Sequence, residues 1–242
     1  MERKRNYIYP DKDSLTAAFV CEFIRTLKEY SDEGRQLHLA FSGGSTPLAI
    51  FEQLAEQTTP DDWLNVSLFW GDERCVPPND PESNYGSALE VLLKPLGMEK
   101  NRIHRIRGEE EAEGEAARYG GLLMKFLPME NGFPVFDWIW LGLGTDGHTA
   151  SIFPHQIEFW TAGSPCVVSN HPDTAQSRIS ITGGVINNAK RVSFIVSGKE
   201  KATIIREIFF KEGRHMEYPA FYVNPAMSDL EWYLDQDAAR LL

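Results

Sequence analysis

A histidine and an aspartate stand in a glycine-rich turn, Gly142-Leu-Gly-Thr-Asp-Gly-His148. The imidazole of histidine has an ordinary pKa nearer neutrality than any other side chain, so His148 is a candidate general base. A glycine-rich turn also lets the backbone approach a ligand closely. The pattern indicates proton-transfer chemistry beside a bound small molecule.

The segments that flank this turn predict how it is held. The apolar run Val135-Phe-Asp-Trp-Ile-Trp-Leu141 predicts a buried strand before it, and Thr149-Ala-Ser-Ile-Phe153, ended by Pro154, predicts a short helix after it. At a helix N-terminus the dipole disfavours the charged imidazole, which keeps His148 available as a base. The glycines also fit the dinucleotide pattern G-x-G-x-x-G, but the short helix and the late position in the chain argue against that interpretation. A plain tight turn with a surface histidine is the alternative.

A second loop, Ser42-Gly-Gly-Ser-Thr-Pro47, follows the strand-like run Leu37-His-Leu-Ala-Phe41. Thr46 suits an N-cap and Pro47 a first helical residue. Two glycines, hydroxyl groups and a free helix N-terminus form an anion site, so the candidate phosphate ligands are Ser42, Gly43, Gly44, Ser45 and Thr46. No Gly-Lys-Ser/Thr follows, so this is not a P-loop, and Ala40 replaces the first glycine that a serine nucleophile elbow requires.

A third loop, Gly71-Asp-Glu-Arg-Cys-Val-Pro-Pro78, follows the strand-like run Val66-Ser-Leu-Phe-Trp70. It contributes Asp72 and Arg74, and its two prolines would stiffen it. In an open parallel sheet, ligands bind outside the carboxyl ends of the strands. All three loops leave such ends, so we expect them to meet in one crevice.

Two basic residues in the last third are further candidates for binding an anion. Arg178 opens the alternating segment Arg-Ile-Ser-Ile-Thr182, and arginine is suited to bidentate recognition of phosphate. Lys199 follows Ser197-Gly198 at the start of a predicted helix, where the dipole disfavours a lysine unless an anion is near.

Composition restricts the partners and the compartment. The formal charge of −11, from 24 basic and 35 acidic residues, disfavours nucleic acid and anionic membranes. No run resembles a signal peptide or a membrane span, and the widely spaced Cys21, Cys75 and Cys166 suggest reduced thiols, so we expect a cytoplasmic protein. The histidines show no metal-binding spacing, and we expect neither metal nor cofactor.

The alternation of apolar strand-like runs with amphipathic segments predicts one α/β domain over 1–242. Its core would be a mainly parallel, twisted, Rossmann-like sheet with helices on both faces. The acidic run that begins at Glu109 predicts the exposed face of a helix that ends near Leu127.

The motifs together resemble the 6-phosphogluconolactonase branch of the glucosamine-6-phosphate isomerase/6-phosphogluconolactonase family. The matching segments lie in order along nearly the whole chain: Ser42–Pro47, Gly71–Arg74 with Val76-Pro77 and Ser83-Asn84, Gly142–Pro154, Arg178–Thr182, Gly198-Lys199 and Tyr218–Ala220. The resemblance implies a deaminase-like α/β fold, hydrolysis of 6-phospho-D-glucono-1,5-lactone in the oxidative pentose phosphate pathway, and no metal.

By motif position the resemblance implies that His148 activates water and that Ser42 to Thr46, Arg178 and Lys199 hold the phosphate. Arg74 would sit over the substrate. Either Asp146 or Asp72 would orient His148, and either the glycine-turn N–H groups or Arg74 would stabilise the oxyanion.

Two other functions are alternatives. A glucosamine-6-phosphate deaminase carries a glutamate that pairs with the histidine, whereas this chain has Ser151-Ile-Phe-Pro154 there, and a deaminase has a tyrosine where this chain has Arg74. A non-catalytic sugar-phosphate sensor would need a helix-turn-helix segment, which the N-terminal helix does not supply. The stretch His171-Pro-Asp-Thr-Ala-Gln-Ser177 departs from the more proline-rich approach to Arg178 that the family predicts. The oligomeric state stays open.

Overall fold

The computed structural model describes residues 4–226 and 230–242. The strands are, in chain order, β1 (Lys4–Tyr9), β2 (Leu37–Phe41), β3 (Val66–Trp70), β4 (Asp72–Arg74), β5 (Ile103–His104), β6 (Met129–Glu130), β7 (Phe133–Pro134), β8 (Trp138–Leu141), β9 (Cys166–Asn170), β10 (Ser177–Ile181), β11 (Val192–Val196) and β12 (Leu230–Asp235). The helices are α1 (Lys12–Asp32), α2 (Ser45–Gln57), α3 (Asn84–Ala88), α4 (Ala112–Phe126), α5 (Gly183–Asn187), α6 (Ala202–Phe210) and α7 (Gln236–Ala239).

Seven parallel strands form the central sheet, in the order β1-β12-β11-β8-β2-β3-β5. From β2 the chain moves outward through β3 to β5, and from β8 it moves the other way through β11 to β12. The neighbours β2 and β8 therefore mark the point where the strand order reverses, and ligands bind outside the carboxyl ends of the strands at such a point.

Helices cover both faces of this sheet, as the alternation of segments predicts. On one face Phe19 of α1 packs against Trp140 and Tyr233, with ring centroids 4.9 and 4.8 Å apart. On the other face Phe209 of α6 packs against Trp232 at 5.3 Å. Trp232 and Tyr233 are adjacent in β12, so their side chains point to opposite faces and tie the strand to both helical layers.

A smaller antiparallel sheet, β4-β10-β9, extends from the carboxyl end of β3. In its register Arg178 lies directly opposite Arg74, and Ser180 lies opposite Asp72. This sheet places the third loop and the Arg178 segment side by side. The sequence predicts one mainly parallel sheet and does not predict this second, antiparallel one.

Two predictions about local structure are wrong. The segment Thr149–Phe153 forms no helix: Ala150 adopts φ +48° and Thr149 bridges to Ile152 in a tight turn, so no helix dipole acts on His148. The predicted cap of α2 is also misplaced, because Gly44 is the N-cap and Thr46 already lies inside the helix. In the described residues, every helix is too short or too polar to cross a membrane, and the cytoplasmic location stays a prediction.

At the amino ends of β2 and β8, far from the loops of interest, a buried carboxylate ties three strands together. Asp137 accepts hydrogen bonds from the His38 backbone N–H at 2.8 Å and from Lys190 Nζ at 2.8 Å, and its Oδ2 lies 2.8 Å from His38 Nδ1. Burial raises the pKa of Asp137, but these hydrogen bonds outweigh burial and hold that pKa below its ordinary value.

We expect Asp137→Asn to lower the free energy of unfolding by about 2 kcal/mol at pH 7, because charge-assisted hydrogen bonds are lost at a buried site. A carboxylate with a depressed pKa stabilises the fold above its unfolded pKa, and this contribution disappears as the pH falls through the folded pKa. In denaturant titrations the gap between the two proteins should therefore shrink as the pH falls below about 4. The exposed Asp173→Asn serves as the control, and a gap independent of pH would contradict the role of this carboxylate.

Candidate active site

The loops after β2, β3, β8 and β11, four adjacent strands of the central sheet, meet around one cleft of about 300 Å³. Its lining comes from all four loops and from β10: Ser42, Gly43, Gly44, Asp72, Arg74, Asn84, Gly142, Leu143, Gly144, Thr145, His148, Ala150, Arg178 and Lys201. The structure thus brings the three predicted loops together, at the point where the strand order reverses.

The N-terminus of α2 forms one wall of the cleft. Gly44, the N-cap, has φ +110°, a conformation that other residues rarely adopt, and no side chain caps the first turn. The N–H groups of this turn therefore face the cleft with the positive end of the helix dipole, which favours an anion. Thr46 Oγ1 lies 3.0 Å from Ser197 Oγ, so its hydroxyl joins α2 to the loop after β11 instead of capping the helix.

Ser42 is buried at the end of β2, and its Oγ donates a hydrogen bond to the Trp140 carbonyl at 2.6 Å. The proton of this hydroxyl is therefore engaged with β8, and the oxygen can only accept from a ligand or a water. Among the described residues, no histidine is hydrogen-bonded to Ser42, and a nucleophilic serine needs such a partner for activation. Its place in the cleft suits a binding residue.

His148 and Asp146 form a hydrogen-bonded pair in the loop after β8. Nδ1 of His148 lies 2.6 Å from Asp146 Oδ1, which also accepts from the His148 backbone N–H at 3.1 Å. Burial raises the pKa of Asp146, but the hydrogen bonds and charge of His148 outweigh burial and hold this pKa at about 2. Asp146 is thus ionised and must accept the Nδ1 proton, which leaves Nε2 as the basic nitrogen of the ring.

The turn that carries this pair is held by its own backbone and by its neighbours. The Gly144 N–H donates to the His148 carbonyl at 2.8 Å, and the Ala220 N–H donates to the Gly147 carbonyl at 3.1 Å. A Cβ on Gly144 would lie 2.1 Å from His148 Nδ1, so only glycine lets the imidazole and carboxylate fold back over the turn. The Tyr218–Ala220 motif therefore supports the His148 loop from outside the cleft.

The second aspartate, Asp72, has a different partner. It is buried on the cleft wall, and its Oδ2 accepts from Ser151 Oγ at 2.6 Å, while its backbone carbonyl accepts from Asn84 Nδ2 at 2.9 Å. It has no hydrogen bond to His148 in the described chain. Of the two aspartates between which the sequence leaves the choice open, the structure pairs Asp146 with His148.

Arg74 and Arg178 face each other across the β4–β10 pair. Arg74 donates from Nη1 to the Glu82 carbonyl at 2.6 Å, and the Nε atoms of both arginines are buried without a partner among the described residues. Burial and then the charge of Arg74 lower the pKa of Arg178. Two like charges in register are unfavourable, so the pair provides a site for an anion.

Lys201 supplies a further cation from the loop after β11. It lines the cleft beside Gly43 and Gly44, and its pKa is lowered by burial, while the charges of Glu200 and Asp146 act in the opposite direction. The same cleft therefore holds a free helix N-terminus, two arginines, a lysine and a basic imidazole nitrogen, which together suit an anionic substrate that needs proton transfer.

The family model for glucosamine-6-phosphate isomerases/6-phosphogluconolactonase matches residues 10–232 of this chain. The chain belongs to this family. A 6-phosphogluconolactonase from Haemophilus influenzae is 41% identical over 240 residues, which cover 98% of this chain and 100% of that protein. One from Treponema pallidum is 42% identical over 205 residues, 84% of this chain and 83% of that protein.

A solved structure supports the same relationship. The 6-phosphogluconolactonase from Trypanosoma brucei superposes with a TM-score of 0.89 at 26% identity and covers 100% of both chains. The resemblance predicted from the motifs and the predicted α/β fold are thus confirmed.

Four residues that the family motifs predict for the site are absent from the lining of the cleft: Ser45, Thr46, Asp146 and Lys199. Ser45 and Thr46 line an adjoining pocket beside Gly43, Gly44 and Lys201, and Asp146 is hydrogen-bonded to His148. The side chain of Lys199 is exposed and belongs to neither lining. Lys201, two residues later, lines the cleft. A periodic signal was available: Lys201 is spaced three, four and seven residues from the buried Ile204, Ile205 and Ile208, so it lies on the inward face of the helical segment.

Neither the Cys75 thiol nor a metal ion is assigned a role in catalysis. Burial raises the pKa of the Cys75 thiol to about 11, which makes it a poor nucleophile. Within the described ranges, no cluster of three or more His, Cys, Asp or Glu side chains could hold a metal ion.

Proposed function

We propose that this protein hydrolyses 6-phospho-D-glucono-1,5-lactone to 6-phosphogluconate with a water activated by His148, as a step of the oxidative pentose phosphate pathway. The lactone-hydrolase assignment follows from the curated relatives named above. The observation that carries the mechanism is the His148–Asp146 pair, which leaves a basic Nε2 in a cleft where the Nε atoms of Arg74 and Arg178 have no partner among the described residues.

A positioned water and a neutral base are sufficient for this reaction, because a lactone is already an activated ester. Nε2 of His148 accepts a proton from water as the water oxygen attacks C1, and Asp146 stabilises the imidazolium that forms. The ring C1–O5 bond then breaks, and the leaving O5 takes the proton back from His148. Arg74, whose Nε has no partner among the described residues, stabilises the charge on the carbonyl oxygen in the transition state.

The phosphate of the substrate would lie between the N-terminus of α2 and the cations of the cleft. The first-turn N–H groups after Gly44, the Ser42 oxygen and the side chains of Arg178 and Lys201 are the ligands that we assign to it. All of them sit at carboxyl ends of neighbouring strands or on β10, in the same cleft as His148, and the proposal requires one sugar length between this anion site and His148.

The deaminase alternative differs at the histidine itself. In this chain the carboxylate that pairs with His148 is Asp146, and the ring of Phe153 packs near the imidazole with a centroid distance of 4.7 Å. No glutamate of the described chain is bonded to the imidazole. This arrangement favours a base that accepts a proton from water over the paired glutamate of a deaminase.

We expect the purified protein to speed hydrolysis of 6-phospho-D-glucono-1,5-lactone above the buffer rate and to release no ammonia from glucosamine 6-phosphate. Acid release at constant pH follows the first reaction, and a coupled ammonia assay follows the second. The His148→Ala variant provides the background for both assays. Ammonia release above that background, or lactone hydrolysis at the buffer rate, would overturn the proposed function.

A further inference from the structure

A side-chain hydrogen bond joins two loops beside the cleft. Gln176 precedes β10, in the stretch that is less proline-rich than the family predicts, and its Nε2 donates to Glu82 Oε2 at 2.9 Å. Glu82 lies in the loop between β4 and α3, and its backbone carbonyl accepts the hydrogen bond from Arg74 Nη1 at 2.6 Å. Glu82 therefore supports Arg74 with its main chain while its carboxylate is held by Gln176.

The position of Gln176 is itself well defined. The His171 N–H donates to the Gln176 carbonyl and the Ala175 N–H donates to the His171 carbonyl, both at 2.9 Å. Asn170, which ends β9, is tied to Ser177 by a side-chain hydrogen bond of 3.2 Å. Hydrogen bonds thus stiffen the approach to β10, and the Gln176 amide reaches the neighbouring loop from this restrained backbone.

If the Glu82 carboxylate were free to move, it would compete with an anionic substrate for Arg74 and Arg178. Burial and then the charge of Arg74 lower the pKa of Arg178, whereas the charges of Asp72 and Glu82 act in the opposite direction, so Glu82 is within electrostatic reach of this arginine. Neither Arg74 nor Arg178 forms a salt bridge with a described residue. A glutamate released from its restraint would pair with one of them and compete with an anionic substrate.

We propose that Gln176 is a positioning residue that holds the Glu82 carboxylate away from Arg74 and Arg178, so that both guanidinium groups stay available to the substrate. This inference rests on the proposed function, which supplies the anion. An amide suits the task because it restrains a carboxylate by donating a hydrogen bond, yet adds no charge beside the cleft.

The test removes the restraint and then removes the charge that it restrains. We expect Gln176→Ala to raise KM for the phosphorylated lactone about three- to fivefold, the range for a partly exposed ion pair that must be broken. Gln176→Glu should raise KM at least as much, because two carboxylates repel. Adding Glu82→Gln to Gln176→Ala should return KM to near the wild-type value, although the hydrogen bond between the loops is still missing.

Calorimetric titration of 6-phosphogluconate gives the same comparison without turnover, and its Kd should follow the order of the KM values. Gln156→Ala is the matched control, since it removes a different side-chain hydrogen bond to the hairpin formed by β9 and β10. In that bond the Asn170 N–H donates to Gln156 Oε1 at 3.0 Å. The KM and Kd of Gln156→Ala should stay near those of the wild type.

Three outcomes would overturn the inference. They are a wild-type KM and Kd in Gln176→Ala, an equal defect with and without Glu82→Gln, and a defect of the same size in Gln156→Ala. Each of these is read against an active wild-type enzyme, whereas failure of the proposed function would appear as a wild-type protein without lactonase activity.

Discussion

His148→Ala should lower kcat for the phosphorylated lactone roughly 10²- to 10⁴-fold, the usual contribution of a positioned general base. The imidazole Nε2 is the basic atom in the cleft that is oriented by a second side chain, through the 2.6 Å contact of Nδ1 with Asp146. KM should change little, because the groups that we assign to the phosphate remain. Stopped-flow or pH-stat measurement of acid release separates the two constants.

The pH profile gives the same prediction a second readout. Because the pKa of Asp146 is held at about 2, its carboxylate stays charged throughout the assay range, so protonation of Asp146 does not cause a loss of activity toward acid. A general base stops working once it has taken up a proton, so kcat/KM of the wild type should fall as the pH decreases, whereas the residual activity of His148→Ala should lack that step. An acid step retained in the variant would assign the base to another group.

His155→Ala is the matched control for this experiment. His155 is exposed and stacks on Phe153, whose ring also contacts His148, with centroid distances of 5.9 and 4.7 Å. It shares the neighbourhood of the base without lying on the cleft. Equal losses in both variants would show that the loop, and not the imidazole of His148, limits the rate.

The convergence of the three loops could be predicted because it depends only on strand direction. Each motif follows an apolar run, parallel strands place their carboxyl ends on one edge, and Gly44 and His148 indeed share a cleft. The choice of Asp146 over Asp72 could not be predicted, since both follow strands that lie close together. It depends on Ser151, which is 79 residues away in sequence and whose hydroxyl donates a hydrogen bond to the Asp72 carboxylate.

The errors arise where tertiary contacts override local pattern. The segment after His148 is short and apolar and ends at Pro154, but the Thr149 hydroxyl donates to the Gly142 carbonyl and the Ser151 N–H to Ser180 Oγ, so it closes as a turn. The edge strand β1 has no apolar run and exists because Lys4–Tyr9 pairs with Leu230–Asp235, at the other end of the chain. A strand that depends on a partner so distant in sequence cannot be predicted from the local sequence pattern.

Lys201→Ala and Arg178→Ala should each raise KM for the phosphorylated lactone roughly 10- to 100-fold, since a charge-assisted contact is worth about 1.5–3 kcal/mol. Both side chains line the cleft, and burial lowers the pKa of both, so a bound phosphate dianion would restore a favourable environment for their charge. Unphosphorylated gluconolactone lacks this group, and its hydrolysis should be affected far less.

Lys199 provides a matched control for the phosphate prediction. It lies two residues from Lys201 in the same short segment, but its side chain is exposed whereas that of Lys201 lines the cleft. Lys199 is exposed and shares its side of the helical segment with the exposed Thr203 and Arg206, whereas Lys201 lies on the cleft. Lys199→Ala should therefore keep a KM close to that of the wild type for both lactones. If Lys199→Ala instead produced the larger rise, the phosphate would bind on the outer side of this segment, and the anion site assigned to Gly44, Arg178 and Lys201 would be wrong.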